Sequence, residues 1–236
     1  MNLLFLLTLF SLFASAAEFG PSLEGEVVPI EADGAEQGEG SDTGAVGCSD
    51  QYLESGVQLP DLPLFFTRGN AESEYGSAEM IDAIVAATRH MRWLMPEASP
   101  VTIGDISHER GGFQSGHVSH RGGVDADIGI YSTGAKQNPR GFDTLSSNFD
   151  VVANWALISA FLDTGNVDFI LLDRAHIARL RGYTTKAGLL TEAEAEEIFP
   201  SEPHPWDRTG IVRHAPNHDN HMHVRVLCSD GSHAGR

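Results

Sequence analysis

Apolar and polar residues repeat along this chain with two different periods. Over residues 73–94, Met80, Ile81, Ile84, Val85, Thr88, Met91 and Leu94 recur at helical spacing and Pro96 stops the run, which predicts a core-packing helix. Val101-Thr102-Ile103 predicts a short strand. From Val124 to Tyr131 the period drops to two: Val124, Ala126, Ile128 and Ile130 alternate with Asp125, Asp127 and Gly129, so both carboxylates leave the same face of a predicted strand. Residues 148–162 predict a helix, 167–172 a buried strand, and 173–180 a helix closed by Gly182. Thr191 with Glu194 reads as a capping box that opens another short helix. Alternation returns after residue 220, with Met222, Val224 and Val226 on the core side of a strand and His221, His223 and Arg225 on the other. Strands and helices mingle without a regular βαβ rhythm, so the expected fold class is α+β.

The first 47 residues follow neither period. Leu3 to Ala16 is apolar apart from Thr8, Ser11 and Ser15, too short for the roughly 20 residues of a membrane span, and Ala14 and Ala16 supply an A-x-A pattern. This is the expectation of a secretory signal peptide over 1–16, although its leading segment has no Lys or Arg; an uncleaved tether is the alternative. Ala17 to Gly47 carries eight acidic residues, no basic ones and many Gly and Ser, the composition of a solvated linker. The expected organisation is therefore signal peptide 1–16, acidic linker 17–47, a folded domain over 48–228 and a tail over 229–236, exported to the periplasm or beyond and without a stable membrane span after cleavage.

Charge narrows the partners. The 236 residues include 33 acidic and 15 basic groups for a formal charge of −18, and setting the linker aside still leaves 25 against 15. Nucleic acid is not an expected partner, because counterion release needs clustered cations. The two cysteines, Cys48 and Cys228, stand at the two ends of the predicted folded part. Export permits a disulfide stapling those ends, worth roughly 5 kcal/mol on a chain-entropy basis; the alternative is two buried thiols.

The chemistry-bearing residues fall in two segments. His117, His120, Asp125 and Asp127 lie within eleven residues, beside glycines at 111 and 112, and His218, His221, His223 and Arg225 cluster in the tail. Side by side, these segments would gather His120, Asp127 and His223 around one point. Two imidazole nitrogens and one carboxylate oxygen make a three-ligand zinc set with a fourth position left for water, whose pKa zinc lowers to about 7. His221, one pleat from His223, could then take and return a proton. The plainer alternatives are a nonspecific metal-binding patch of exposed histidines, Asp125 as a solvated turn residue, and Ser115 and Ser119 making local backbone hydrogen bonds. His90, His108, His176, His204 and His233 read as structural or surface residues. No G-x-S-x-G elbow, H-E-x-x-H helix, phosphate loop or dinucleotide fingerprint is present.

The segments SGHVSHRGGVDADI and NHDNHMHVRV closely resemble the penicillin-insensitive murein endopeptidases, relatives of the D-Ala-D-Ala metallopeptidases and of the hedgehog domain. The shared pattern is His, six residues, Asp, and much later His-x-His, met here by His120, Asp127, His221 and His223; His117 and His218 match the endopeptidase branch. The resemblance covers about 104–130 and 214–228 and is absent before 48. It implies a domain built on a central antiparallel sheet flanked by helices. It also implies zinc held by His120, Asp127 and His223, His221 as catalytic base, and hydrolysis of D-alanyl-diaminopimelyl cross-bridges in peptidoglycan. His117 is implied as a further ligand or as a group orienting the site, Asp125 as the residue fixing a ligand histidine's tautomer, and His218 or Arg225 as stabilising the oxyanion. A departure is Arg110, which precedes the glycines where the resemblance implies an arginine after them. Alternatives are a D-Ala-D-Ala dipeptidase or carboxypeptidase, a catalytically silent zinc-binding domain that recognises cell wall, and an exported metal buffer.

Overall fold

The computed structural model describes residues 49–133, 148–200 and 209–233. The expected signal peptide over 1–16 and linker over 17–47, Cys48 and His204 lie outside these residues, as does the end of the expected tail after His233. The compact unit that contains them runs from Thr43 to Arg236.

The two alternating stretches become neighbouring strands, β5 (Asp125–Gly129) and β8 (His221–Val226), paired antiparallel. Their register sets Asp127 opposite His223, Asp125 opposite Arg225 and Gly129 opposite His221 on one face. Ala126 and Ile128 oppose Val224 and Met222 on the other. Because side chains alternate strictly, that second face is the core face, and Ala126, Ile128, Met222, Val224 and Val226 are fully buried there. Around this pair the six-stranded sheet adds β2 (Phe66–Arg68), β4 (Val101–Ile103), β6 (Val167–Leu172) and β7 (Val212–His214) in the order β2-β4-β5-β8-β6-β7. The inner pairings are antiparallel, as expected; the outer ones, β2 with β4 and β6 with β7, are parallel. A separate antiparallel pair joins β1 (Val57–Gln58) to β3 (Tyr75–Gly76).

Helices cover the core face. α1 (Ala78–Leu94) starts later than the apolar periodicity suggests because Ser77 caps it, its hydroxyl accepting from the Met80 amide, while Tyr75 and Gly76 pair as β3. Its face of Met80, Ile84, Ala87 and Met91 packs into the core with α2 (Val151–Leu162), which Asp150 caps through the Ala153 amide. α3 corrects an expectation: it runs Arg174–Lys186, straight through Gly182. Glycine inside a helix costs only about 1 kcal/mol, and the buried stripe of Ile177, Leu180 and Thr184 continues past it. The turn falls instead at Gly188, whose φ of +69° is open to glycine. α4 (Glu192–Ile198) opens on the expected capping box of Thr191 and Glu194.

One glycine shapes the approach to the functional face. At Gly111, with φ +69°, a β-carbon would collide with the Arg121 carbonyl and the Leu53 amide. The loop carrying His117 and His120 is thereby drawn against the strand-like segment at Tyr52, with the Gly112 amide donating to the Arg121 carbonyl at 2.9 Å.

Candidate metal centre

Four histidines and two aspartates meet on the open face of the sheet. Three atoms form the tightest group: His120 Nε2, His223 Nδ1 and Asp127 Oδ1, separated by 3.1 Å between the imidazoles and 3.2 Å from each imidazole to the carboxylate. β5 and β8 supply two of these residues through their register, and the 111–122 loop folds back to supply the third. All three are buried. His117 joins them, its Nδ1 3.7 Å from Asp127 Oδ2, and His117, His120 and Asp127 form a group able to hold a metal ion. His221, one pleat along β8, sets its Nε2 3.7 Å from Asp127 Oδ1.

The far nitrogen of each ring meets an acceptor. His120 Nδ1 donates to the Ile106 carbonyl at 3.0 Å, His223 Nε2 to Asp125 Oδ1 at 2.8 Å, His117 Nε2 to Asp105 Oδ2 at 3.0 Å and His221 Nδ1 to Asn220 Oδ1 at 2.7 Å. A neutral imidazole that donates from one nitrogen presents a lone pair at the other, so in their neutral form all four rings turn lone pairs toward the space beside the Asp127 carboxylate. Lone pairs 3.1 Å apart beside a carboxylate require a cation between them, either a proton or a metal ion.

The electrostatics agree. Burial alone would lower His223, but its hydrogen bonds to Asp125 and Asp127 outweigh burial and push it up to about 9. Burial would raise Asp127, yet hydrogen bonds from His120 and His223 hold it well below the usual carboxylate range. His221 goes the other way: burial lowers it to about 4, so at neutral pH it is an uncharged base. His218 is lowered as well, chiefly by burial.

The remaining expected residues are also near. The His218 ring centroid lies 4.9 Å from that of His221 and 6.0 Å from that of His223, with its Nδ1 donating to the Pro216 carbonyl at 2.8 Å. Asp125 is fully buried and joins His223 to Arg225, whose Nε and Nη2 form a two-pronged pair with its carboxylate, both at 2.8 Å. Arg225 is thus engaged within the protein, its guanidinium also 5.6 Å from the centre of the Phe169 ring. Ser115 and Ser119 are exposed or half-buried on the loop. Away from the cluster, His90 faces Asp163 at 3.4 Å, His108 donates to the Glu72 carbonyl at 2.9 Å and His233 lies 2.9 Å from Asp168. His176 is fully buried, stacked on Phe149 with its Nε2 2.8 Å from the Asp219 carbonyl, which braces the loop that bears His218 and leads into β8.

Sequence reasoning missed Asp105, Ile106 and Asn220, the acceptors behind three of the rings. Asn220 stands beside His221 and could have been proposed from that adjacency. The others act across 12 and 14 residues through loop contacts that no period encodes.

No curated protein matches the chain. A family model does: that of the penicillin-insensitive murein endopeptidases, over residues 46–158. The matched stretch ends before β8, whose His221 and His223 reach the site through strand pairing. The matched residues 46–158 include His117, His120, Asp125 and Asp127, so over this stretch the chain is similar to the penicillin-insensitive murein endopeptidases.

Proposed function

We propose that this chain is a zinc-dependent endopeptidase that hydrolyses the D-alanyl-diaminopimelyl cross-bridges of peptidoglycan. The observation that carries this reading is the convergence of His120 Nε2, His223 Nδ1 and Asp127 Oδ1 within 3.2 Å of one another, in a chain matched by a murein endopeptidase family. Two imidazoles and a carboxylate suit zinc, with His117 as a further donor, and the buried acceptors behind the rings are what ligating histidines require. When bound, zinc supplies Lewis acidity, polarising the scissile carbonyl and making water acidic enough to attack it near neutral pH.

The chain's own residues do the rest. His221, neutral and fixed by Asn220 with its Nε2 toward the cluster, takes the proton from the attacking water and delivers it to the leaving amine. His218, beside His221, borders the position where charge builds on the carbonyl oxygen; with its Nδ1–H held by the Pro216 carbonyl, it would stabilise that charge only once its Nε2 takes up a proton. Asp125 fixes the His223 tautomer, and Arg225 holds Asp125 in place. The reaction needs no acyl-enzyme, so a β-lactam has no serine to trap.

The test is digestion of purified cross-linked muropeptide dimers, with and without chelator and with zinc restored, read by mass spectrometry. Conversion to monomers that chelator stops and zinc restores is the expected result. Release of D-alanine from stem peptides with dimers left intact would move the protein to the carboxypeptidases, and stoichiometric zinc without any hydrolysis would make it a recognition domain.

Among the described residues no helix is long and apolar enough to cross a membrane. We further infer an exported protein of the bacterial envelope, with a signal peptide over 1–16, a linker over 17–47 and the peptidase domain over 48–228, closed by a Cys48–Cys228 disulfide. Cys228 is buried at 5% exposure, a site where an unpaired thiol would be slow to react. The intact mass of the exported chain checks these points together: it should lack the first 16 or 17 residues and gain two hydrogens on reduction. An unchanged mass on reduction would exclude the disulfide.

A further inference from the structure

Three consecutive residues after β4 act as a template for the centre. The Gly104 amide donates to the Asp127 carbonyl at 2.7 Å and the Asp127 amide to the Asp105 carbonyl at 2.9 Å, which clamps the strand position that bears the ligand carboxylate. The Ile106 carbonyl accepts from His120 Nδ1 at 3.0 Å. Between them, the Asp105 side chain turns outward and accepts from His117 Nε2, also at 3.0 Å.

His117 is the donor that most needs such help. It sits on the loop rather than on a strand, its side chain is 24% exposed, and its Nδ1 stands 3.7 Å from Asp127 Oδ2 where His120 and His223 stand 3.2 Å from Oδ1. The Asp105 carboxylate is itself fixed. Asn70 Nδ2 donates to its Oδ1 at 2.7 Å, and Asn70 is held in turn because its Oδ1 accepts from the Glu72 amide at 3.2 Å. The result is a directed chain, Asn70 to Asp105 to His117, that leaves Asp105 Oδ2 aimed at the ring.

We propose that Asp105 is a positioning residue that makes His117 the fourth protein donor at this centre. The inference rests on the metal reading above and extends it to a residue outside the motif. A carboxylate behind an imidazole fixes the ring's orientation and makes its other nitrogen a stronger donor. Asp105 does this without touching the ion. Its neighbours Gly104 and Ile106 work through the main chain, so within this template only Asp105 can be altered without moving the backbone.

The test is zinc affinity of the purified chain, measured by competition with a chromogenic chelator, for the parent, Asp105→Asn, His117→Ala and the double variant. Asp105→Asn keeps the side-chain shape and should weaken zinc about 10–100-fold, the usual cost of losing such a partner, without shifting the melting temperature of the metal-free protein. His117→Ala should weaken it at least as much. The double variant should bind no worse than His117→Ala, because Asp105 acts through His117 and the two losses cannot add. Asn70→Ala should give a smaller loss in the same direction, and stands in should Asp105→Asn fail to fold. Additive losses, or an Asp105→Asn affinity within twofold of a zinc-binding parent, would overturn the proposal. A parent that binds no zinc would overturn both the metal reading and this one.

Discussion

His221→Ala should keep zinc in place and slow cross-bridge cleavage about 10²–10⁴-fold, the range for loss of a positioned general base. The reasons are geometric and electrostatic. His221 Nε2 stands 3.7 Å from Asp127 Oδ1 and lies outside the group of His117, His120 and Asp127 able to hold a metal ion, so it borders the donor set without completing it. Burial holds it near 4, so it is neutral at pH 7 and ready to accept a proton, and Asn220 fixes which nitrogen does so. Two readouts separate the roles. Metal content by elemental analysis should match the parent, while muropeptide turnover collapses. Loss of zinc along with activity would make His221 a ligand; retained turnover would pass the proton transfer to His218.

Asp127→Ala should remove zinc and activity together, since one oxygen of this residue lies within 3.2 Å of two imidazole nitrogens. In the parent, zinc at a thousand times its dissociation constant stabilises the fold by about 4 kcal/mol. For a domain of this size that raises the melting temperature by roughly 8–16 °C. The pH dependence has a definite sign. In the metal-free protein His223 is raised from 6.5 to about 9, so its proton contributes stability that is complete below about pH 6.5 and is lost as pH rises through 9. Zinc requires that same nitrogen unprotonated, so uptake near pH 7 releases a proton and affinity weakens as pH falls. Calorimetric melting should therefore show a zinc-induced increment that grows between pH 6 and pH 8, and no increment in Asp127→Ala. An equal increment at both pH values would remove His223 from the ligand set.

Much of this was legible because strands write their two faces into every second residue. The alternation over 124–131 and 221–226 identified β5 and β8, the face each carboxylate and imidazole would take, and the core side opposite. What stayed hidden has short-range or purely spatial causes. β2 and β7 span three residues each and β1 and β3 two, too few to display a period, so neither the parallel edges of the sheet nor the separate antiparallel pair had a signature. Gly182 was misread as a stop because a helix tolerates glycine when the apolar stripe continues beyond it. The pairing of Arg225 with Asp125 comes from the register of two strands, which neither strand displays alone. Ile106 contributes a main-chain carbonyl, a group every residue owns and no side-chain pattern can mark.

The strand that comes last in chain order lies in the middle of the sheet. β8 sits between β5 and β6, joining a β2-β4-β5 half to a β6-β7 half that, among the described residues, share no other strand pairing. Until residues 221–226 leave the ribosome, no strand joins the described parts of those halves, and His120 and Asp127 wait for a partner 96 residues beyond the aspartate. Completion of the donor set by His223 and closure of the sheet are consequently one event, so a partly synthesised or unfolded chain carries no complete site.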